Sequence, residues 1–541
     1  MQEQLTVDRN MQLGGLTTPY KAESGLEFIE KVIACNIEGK DVILNVETTN
    51  GEKSAVILRG YISGIVQVTL VPQGEVVAGR FSLVKNKAEQ VAPVLRENEG
   101  QVCIDYNNFK LIINKAPWEM TCLNNDDNLI LKEHRSDTDL YGNRRVKWLG
   151  YQRTNGGVSK VFNAFYAAYD EHFYGTGEKF IPLDKRGARI ENWNFNTWGS
   201  TNERSYKNIP FFMSTRGYGL FIDTTCRTKF DFASGLESSI SLTIEAEDTI
   251  LDYYIILGPE FPSIIEKYTE MTGRAVVPPK WSFGLWMSRF GYRSRKEVEE
   301  VVSKLREYVI PADVIHLDPY WMKDRMYADL IWDEEAFPNP EEMIKNLKNM
   351  GFHVCLWVHP WIPKDSPVFK EAAEKGYFAK RKDETTYIFI PTIPGDKPNP
   401  CGIVDFSNPE ARAWYKKRLK ELIAMGVRAF KTDFGEAIPE DACFYEGSGR
   451  YIHNKYPLLY NSLFYEAFAE CGVQGLVWQR SGWAGIQNWP VSWSGDMLCN
   501  FPSFVCTIWG GLNYALSGVP FWSSHSAPCE QLKMIFRCRR K

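Results

Sequence analysis

From residue 281 onward, short apolar runs alternate with stretches whose apolar residues recur at helical spacing, and this alternation restricts the fold more than any other property of the chain. Trp281–Trp286, Ala312–Leu317, His353–Val358, Val427–Thr432, Gly475–Gln479, Val491–Ser494 and Val519–Trp522 have the length and apolarity of buried strands. Val298, Val301, Val302 and Leu305 mark a helix after the first of them. Asn339-Pro340 opens another, and Pro409–Met425, Tyr460–Ala469 and Phe504–Leu516 follow. Strands separated by helices pair in parallel, because a parallel neighbour needs a crossover. No Gly-rich phosphate loop follows the first strand, so the series predicts a (β/α)8 barrel over 281–523, its eighth strand missing, rather than a doubly wound sheet. The only long irregular insert, Thr386–Gly402, falls at a βα position, where loops build binding sites.

The first half is written differently. Asp41–Val46, Ala55–Leu58, Val66–Leu70, Phe109–Ile113 and Ser239–Ile244 are short alternating or β-branched runs, separated by turn clusters such as Thr49-Asn-Gly51 and Asn124-Asn-Asp-Asp127. They predict an N-terminal antiparallel β-sandwich over 1–262. An amphipathic stretch, Ser263–Gly273, and Val277-Pro-Pro-Lys280 make 263–280 the expected linker, and 524–541 is an atypical tail. The fold class is therefore multidomain, β plus α/β.

Composition excludes several functions. With 63 Lys and Arg against 67 Asp and Glu, no global field draws nucleic acid or anionic lipid. No apolar run approaches the roughly 20 residues of a membrane span, and the N-terminus has neither a basic start nor an apolar core. The 12 Cys form no CxxC pair and no Asn-x-Ser/Thr sequon occurs, so a reducing cytoplasm with free thiols is expected. A homo-oligomer is left open.

Enzymes of barrel architecture carry their sites at the C-terminal ends of the strands. Those ends hold Asp318, Trp357, His359, Lys431, Asp433, Arg480 and Asp496. Three carboxylates on one rim point to acid/base or nucleophilic work, although any one of them could merely cap the next helix. The seven His show no ligand spacing. His359 and His316 stay open as ligands assembled in space, but a lone strand-end His more often satisfies a hydrogen bond; no metal and no cofactor is expected. Arg480-Ser-Gly-Trp-Ala-Gly485 is neither a nucleotide loop nor a GxSxG elbow. Trp193, Trp281, Trp286, Tyr320, Trp321, Trp357, Trp361, Trp483, Trp489, Trp493 and Trp522 cluster at or near strand ends, where flat rings can stack on sugars.

Phe430-Lys-Thr-Asp433-Phe-Gly-Glu436-Ala-Ile-Pro439 resembles the nucleophile motif of glycoside hydrolase family 31, the α-glucosidase and α-xylosidase family. Tyr174-Gly-Thr-Gly-Glu178, Tyr206-Lys-Asn-Ile-Pro-Phe211, Trp281–Trp286, His316-Leu-Asp318, Asp405-Phe-Ser-Asn-Pro409, Arg480-Ser-Gly-Trp483 and Pro490–Asp496 match in the same order, from about Phe173 to Trp522. The resemblance implies Asp433 as nucleophile and Asp496 as general acid/base of a retaining hydrolase. It also implies that Asp318, Trp357, Lys431, Arg480 and Phe290 line the subsite of the non-reducing sugar, and that the partner is an α-glycoside or oligosaccharide. Physical reasoning stands beside it: Lys431, two residues before Asp433 on a strand, shares its face, and its charge and that of Arg480 favour an ionised Asp433. Trp489 and Trp493 are expected around Asp496, an apolar surround suited to an acid.

In α-glucosidases of the family the triplet matching Asp318-Pro-Tyr320 usually ends in a carboxylate; its α-xylosidases have an aromatic there, as Tyr320 is here. Pro319 departs from both patterns. The aromatic favours terminal α-xylose, with α-glucoside as the alternative. After Gly518–Ser523 the family usually continues to an eighth strand with a sugar-binding His and to further β domains, whereas this chain reads Ser524-His-Ser-Ala-Pro-Cys-Glu530 and ends at Lys541. An open barrel would expose strand edges, so a second expectation is an inactive fragment that at best binds carbohydrate.

Overall fold

A computed structural model describes residues 24–78, 80–86, 88–135, 146–236, 238–289, 291–391 and 398–525. Phe290 and the tail from 526 onward lie outside the described residues, so the expectation of a missing eighth strand falls outside them too.

The first half is antiparallel and β-rich. Alternation in Asp41–Thr48 and Lys53–Tyr61 puts Val42, Leu44, Val46, Val56 and Leu58 on one buried face. Thirteen strands form one sheet, and five strands between Val94 and Lys132 form a second. Leu26–Glu38 spans the larger sheet: Leu26–Phe28 pair with Gly150–Gln152, and from Ile29 the strand pairs instead with Asp41–Thr48. Leu44, Phe165 and Phe212 of the larger sheet and Ile104 of the smaller one meet in one core.

The amphipathic stretch within the expected linker forms a packed helix, α1 (Phe261–Thr272), followed by a short irregular segment. Ile264, Tyr268 and Met271 are buried, and Tyr268 stacks on Phe211 of the β-rich half with ring centroids 4.0 Å apart. The same core takes in Trp483, Tyr514 and Val519, so α1 is wedged between the two halves.

Beyond it lies a seven-stranded sheet: β1 (Trp286–Arg289), β2 (Val314–Leu317), β3 (His353–Val358), β4 (Ala429–Thr432), β5 (Leu476–Gln479), β6 (Ser492–Trp493) and β7 (Trp522–Ser523). All neighbours pair in parallel. The outer layer includes α2 (Arg295–Glu307), α3 (Pro340–Asn349), α4 (Pro409–Met425), α5 (Tyr456–Glu470) and α6 (Phe501–Leu516). Ser294 caps α2 by accepting from the Glu297 amide, and Val298, Val302 and Leu305 turn inward, the stripe read from the sequence.

Two expectations are corrected. The first strand begins at Trp286 rather than Trp281, because Lys280–Phe283 is a 3-10 turn in which Ser282 donates to the Pro279 carbonyl. Trp281 therefore stacks on His353 at the start of β3, with ring centroids 4.3 Å apart, at the end of the sheet away from the strand tips. The insert is also less irregular than expected: Ile388–Phe389 and Cys401–Ile403 pair, and the latter pairs with Trp361–Pro363, in a small antiparallel sheet where Phe389 meets the Trp361 ring.

Among the described residues every cysteine is a free thiol and no helix is long and apolar enough to cross a membrane. The halves are locked by a buried ion pair. Glu178 and Lys207 of the β-rich half, both wholly inaccessible, lie 2.6 Å apart; Lys207 also donates to the Trp493 carbonyl of β6, and Trp522 of β7 donates to Glu178. Removing one partner leaves a buried charge unpaired, a loss of about 3–5 kcal/mol. Lys207→Met should therefore lower unfolding free energy by about that much in urea titrations followed by Trp fluorescence, and Lys207→Met combined with Glu178→Gln should recover part of it. A loss below about 1 kcal/mol would show that the pair does not hold the halves together.

Candidate active site

The strand-end residues named from the sequence converge on one face. Asp318 follows β2, Trp357 is in β3, Lys431 is in β4 with Asp433 just after it, Arg480 follows β5, and Asp496 lies on the loop between β6 and α6. Trp357 pairs with Lys431, and Lys431 with Trp478, across β3, β4 and β5, so the three side chains share a side of the sheet.

Arg480, fully buried, is the centre of the cluster. Its Nη1 lies 3.1 Å from Asp433 Oδ1 and 3.1 Å from Asp496 Oδ2, so the two carboxylate oxygens are no further apart than twice that distance. Its Nη2 donates to Glu436, and its guanidinium faces the rings of Phe434 and Tyr206 at 4.0 and 4.8 Å. Burial works against the charge of Arg480, but Asp433, Glu436 and Asp496 more than offset it.

Asp433 is placed by a sharp turn. Phe434 and Gly435 both adopt left-handed backbone (φ 60° and 96°), and a Cβ on Gly435 would come within 2.7 Å of Ser481 Oγ. The turn lets the Phe434 amide donate to Asp433 Oδ1 at 2.9 Å, while Trp357 Nε1 donates to Oδ2 at 2.8 Å. Burial alone would raise the Asp433 pKa, but Arg480, Lys431 and these two donors bring it below the ordinary aspartate value. Asp496 differs in exposure, with 41% of its side chain open to solvent.

Lys431 Nζ reaches Asp318 Oδ2 at 3.4 Å and stands over the rings of Trp478 and Trp493. Burial pushes Asp318 up to about 6, against the pull of Lys431. His316 lies 3.5 Å from Asp318 and bonds Ser288, whereas His359 accepts from the Trp361 amide and is pushed down to about 4 by burial. Among the described residues no three His, Cys, Asp or Glu are grouped to hold a metal ion.

Phe290 lies outside the described residues. Tyr320 is half-buried on the turn after Asp318. Trp489, expected beside Asp496, instead packs into the core around α1 with Lys85 over its ring, because the turn Ile486–Asn488 carries it toward the β-rich half. Asp496 meets Arg480, and Gly495 beside it packs on Tyr206, whose ring a Cβ would strike. Trp193, on His453, and Trp483, donating to the Thr224 carbonyl, belong to the packing between the halves.

Four neighbours were not assigned a role from the sequence. Glu436 lies within the quoted motif but carries no signal of its partner; burial pushes it up to about 7, with Arg480 opposing. Tyr206 arrives from the other half of the chain. Tyr327, edge-on to Trp357 and His359, is presented by a loop with left-handed Arg325, Ala328 and Leu330, a concentration of strain that only the backbone reveals. His525, the last described residue, faces Trp478 and Trp493 across the sheet.

The model of the glycosyl hydrolases family 31 TIM-barrel domain matches residues 275–526, and that of the family's N-terminal galactose mutarotase-like domain matches 56–231. The α-xylosidase XylQ of Lactiplantibacillus pentosus is 38% identical over 361 residues, 65% of this chain and 46% of the relative. Alpha-glucosidase 2 of Bacillus thermoamyloliquefaciens is 28% identical over 488 residues, 86% of this chain and 59% of the relative. The solved GH31 dextranase of Flavobacterium johnsoniae superposes with a TM-score of 0.83 at 25% identity, covering 93% of this chain and 61% of that one. The chain thus spans about half the length of the curated α-xylosidases it matches. Both halves fall under models of a single family, and the chain belongs to glycosyl hydrolase family 31.

Proposed function

We propose that the site is that of a retaining α-glycosidase acting on terminal α-linked xylose, with Asp433 as nucleophile and Asp496 as acid/base. The observation that carries this is the shared Arg480 Nη1, 3.1 Å from an oxygen of each carboxylate, which sets an upper bound on their separation that admits the roughly 5–5.5 Å spacing of retaining enzymes. Asp433, held ionised, attacks the anomeric carbon; the glycosidic C–O bond breaks, and the leaving oxygen takes the proton of Asp496. Asp496, open to solvent, then takes a proton from water, whose oxygen attacks the same carbon and releases Asp433. Two inversions restore the α configuration. Asp318, Lys431 and Trp357 bind the sugar, and the chemistry calls for no metal or cofactor.

The substrate rests on Tyr320 and on α-xylosidases among the relatives. An aromatic side chain at this position leaves less room for the hydroxymethyl group that distinguishes glucose from xylose.

Asp433→Ala should lower kcat by roughly 10⁴-fold, while Asp496→Ala should retain turnover of aryl glycosides with acidic leaving groups. NMR of the first-formed product should show the α anomer, and the β anomer would reject the mechanism. For p-nitrophenyl α-xyloside over the α-glucoside, kcat/KM should be higher by roughly 10- to 200-fold, the worth of one small group in a pocket. Equal rates or a glucoside preference would reassign the substrate to α-glucoside.

Asp318 adds a pH dependence. With its carboxyl at about 6, it is charged above that pH and neutral below, so KM for the xyloside should rise as pH falls through about 6. Asp318→Asn should show a high KM, raised by roughly 10- to 100-fold as for a lost charged hydrogen bond, and no step near pH 6. A pH-independent KM in the unmodified chain would remove Asp318 from the binding role.

A further inference from the structure

Tyr320 is held on several sides. Gly291, with φ +79°, lies against the ring edge so closely that a Cβ there would fall 2.3 Å from Tyr320 Cδ2. Tyr327 meets the ring edge-on, with centroids 6.2 Å apart. The Arg293 guanidinium lies over the ring, its Cζ 3.4 Å from the centroid. Arg293 is itself placed by the start of α2: it precedes the capping Ser294, and its amide donates to Glu297 Oε2 at 2.7 Å. The backbone that carries the arginine is thus tied to a helix cap.

We propose that Arg293 is a positioning residue for sugar selectivity, holding the Tyr320 ring where a hydroxymethyl group on the bound sugar would have to project. The inference rests on the reading of Tyr320 given above. Gly291 leaves room for the ring, and Arg293 keeps it there. A planar guanidinium suits this task because it can lie flat on a ring while its edge stays hydrated at the mouth of the site. Without it, Tyr320 would sample other rotamers, and the pocket would admit the larger sugar for part of the time.

The test measures kcat/KM on p-nitrophenyl α-xyloside and α-glucoside, with calorimetric binding of xylose and glucose in parallel, using the full chain. Arg293→Ala should lower the xyloside-to-glucoside ratio by roughly 3- to 30-fold, the factor that such a contact is worth. The change should come from a gain on glucoside, with kcat on xyloside nearly unaltered. Arg293→Lys, which keeps charge but not the planar group, should fall between and serves as the readable variant if Arg293→Ala does not fold. In a Tyr320→Ala background, Arg293→Ala should leave the ratio unchanged, which a general structural role would not produce.

An unmodified chain that favours xylose, with a ratio unmoved by Arg293→Ala and Arg293→Lys, would overturn the clamp and leave the proposed function standing. An unmodified chain that shows no preference for xylose in turnover or binding would overturn the reading of Tyr320, and the clamp with it.

Discussion

A guanidinium with no access to water is the constraint around which the barrel mouth is arranged. Arg480 can stay charged in that setting only because carboxylates surround it. Asp433, Asp496 and Glu436 meet it directly, and Lys431 balances Asp318 nearby. Four carboxylates then face two cations, and the excess negative charge is relieved unequally. Burial drives Glu436 to about 7 and Asp318 to about 6, where protons can share the load. Asp433, with two N–H donors in addition to the cations, stays below its ordinary value. The group proposed to attack is thus the one whose charge the surroundings protect.

That protection is built from backbone as much as from charge. The left-handed pair Phe434-Gly435 folds the chain back at the tip of β4, turning the Phe434 amide onto Asp433 and sending Glu436 to Arg480. A non-glycine residue in this conformation carries strain of about 1–3 kcal/mol, tolerated where packing fixes the turn. Here Phe434 is held between Trp361 and Arg480.

Six of the seven barrel strands were legible as apolar runs close to their observed places, because strands covered on both faces leave little choice of residue. The first was misplaced for a local reason: a turn after Pro278-Pro279 captured residues whose apolarity matches a strand. The small sheet of the insert was illegible because Ile388–Phe389 is too short to show a period. Strand-end polar residues could be named because architecture alone puts them on one rim. Partners that depend on which way a loop turns could not. Trp489 and Trp493, four residues apart, point into different cores. Tyr206 reaches Arg480 from a bend just before a strand of the other half, a proximity that no spacing encodes.

The ring of Tyr206 has a consequence for how such proteins can be recombined. Part of the backing of Arg480 belongs to the β-rich half, which also supplies Glu178 and Lys207 beneath β6 and β7. The smallest heritable unit of this chemistry is therefore larger than the barrel. A chimera that joins the barrel of one relative to the β-rich half of another exchanges the buried support of Arg480 along with that of the last two strands. Compatibility at Tyr206, Gly495 and Lys207 would then decide which parents can be crossed.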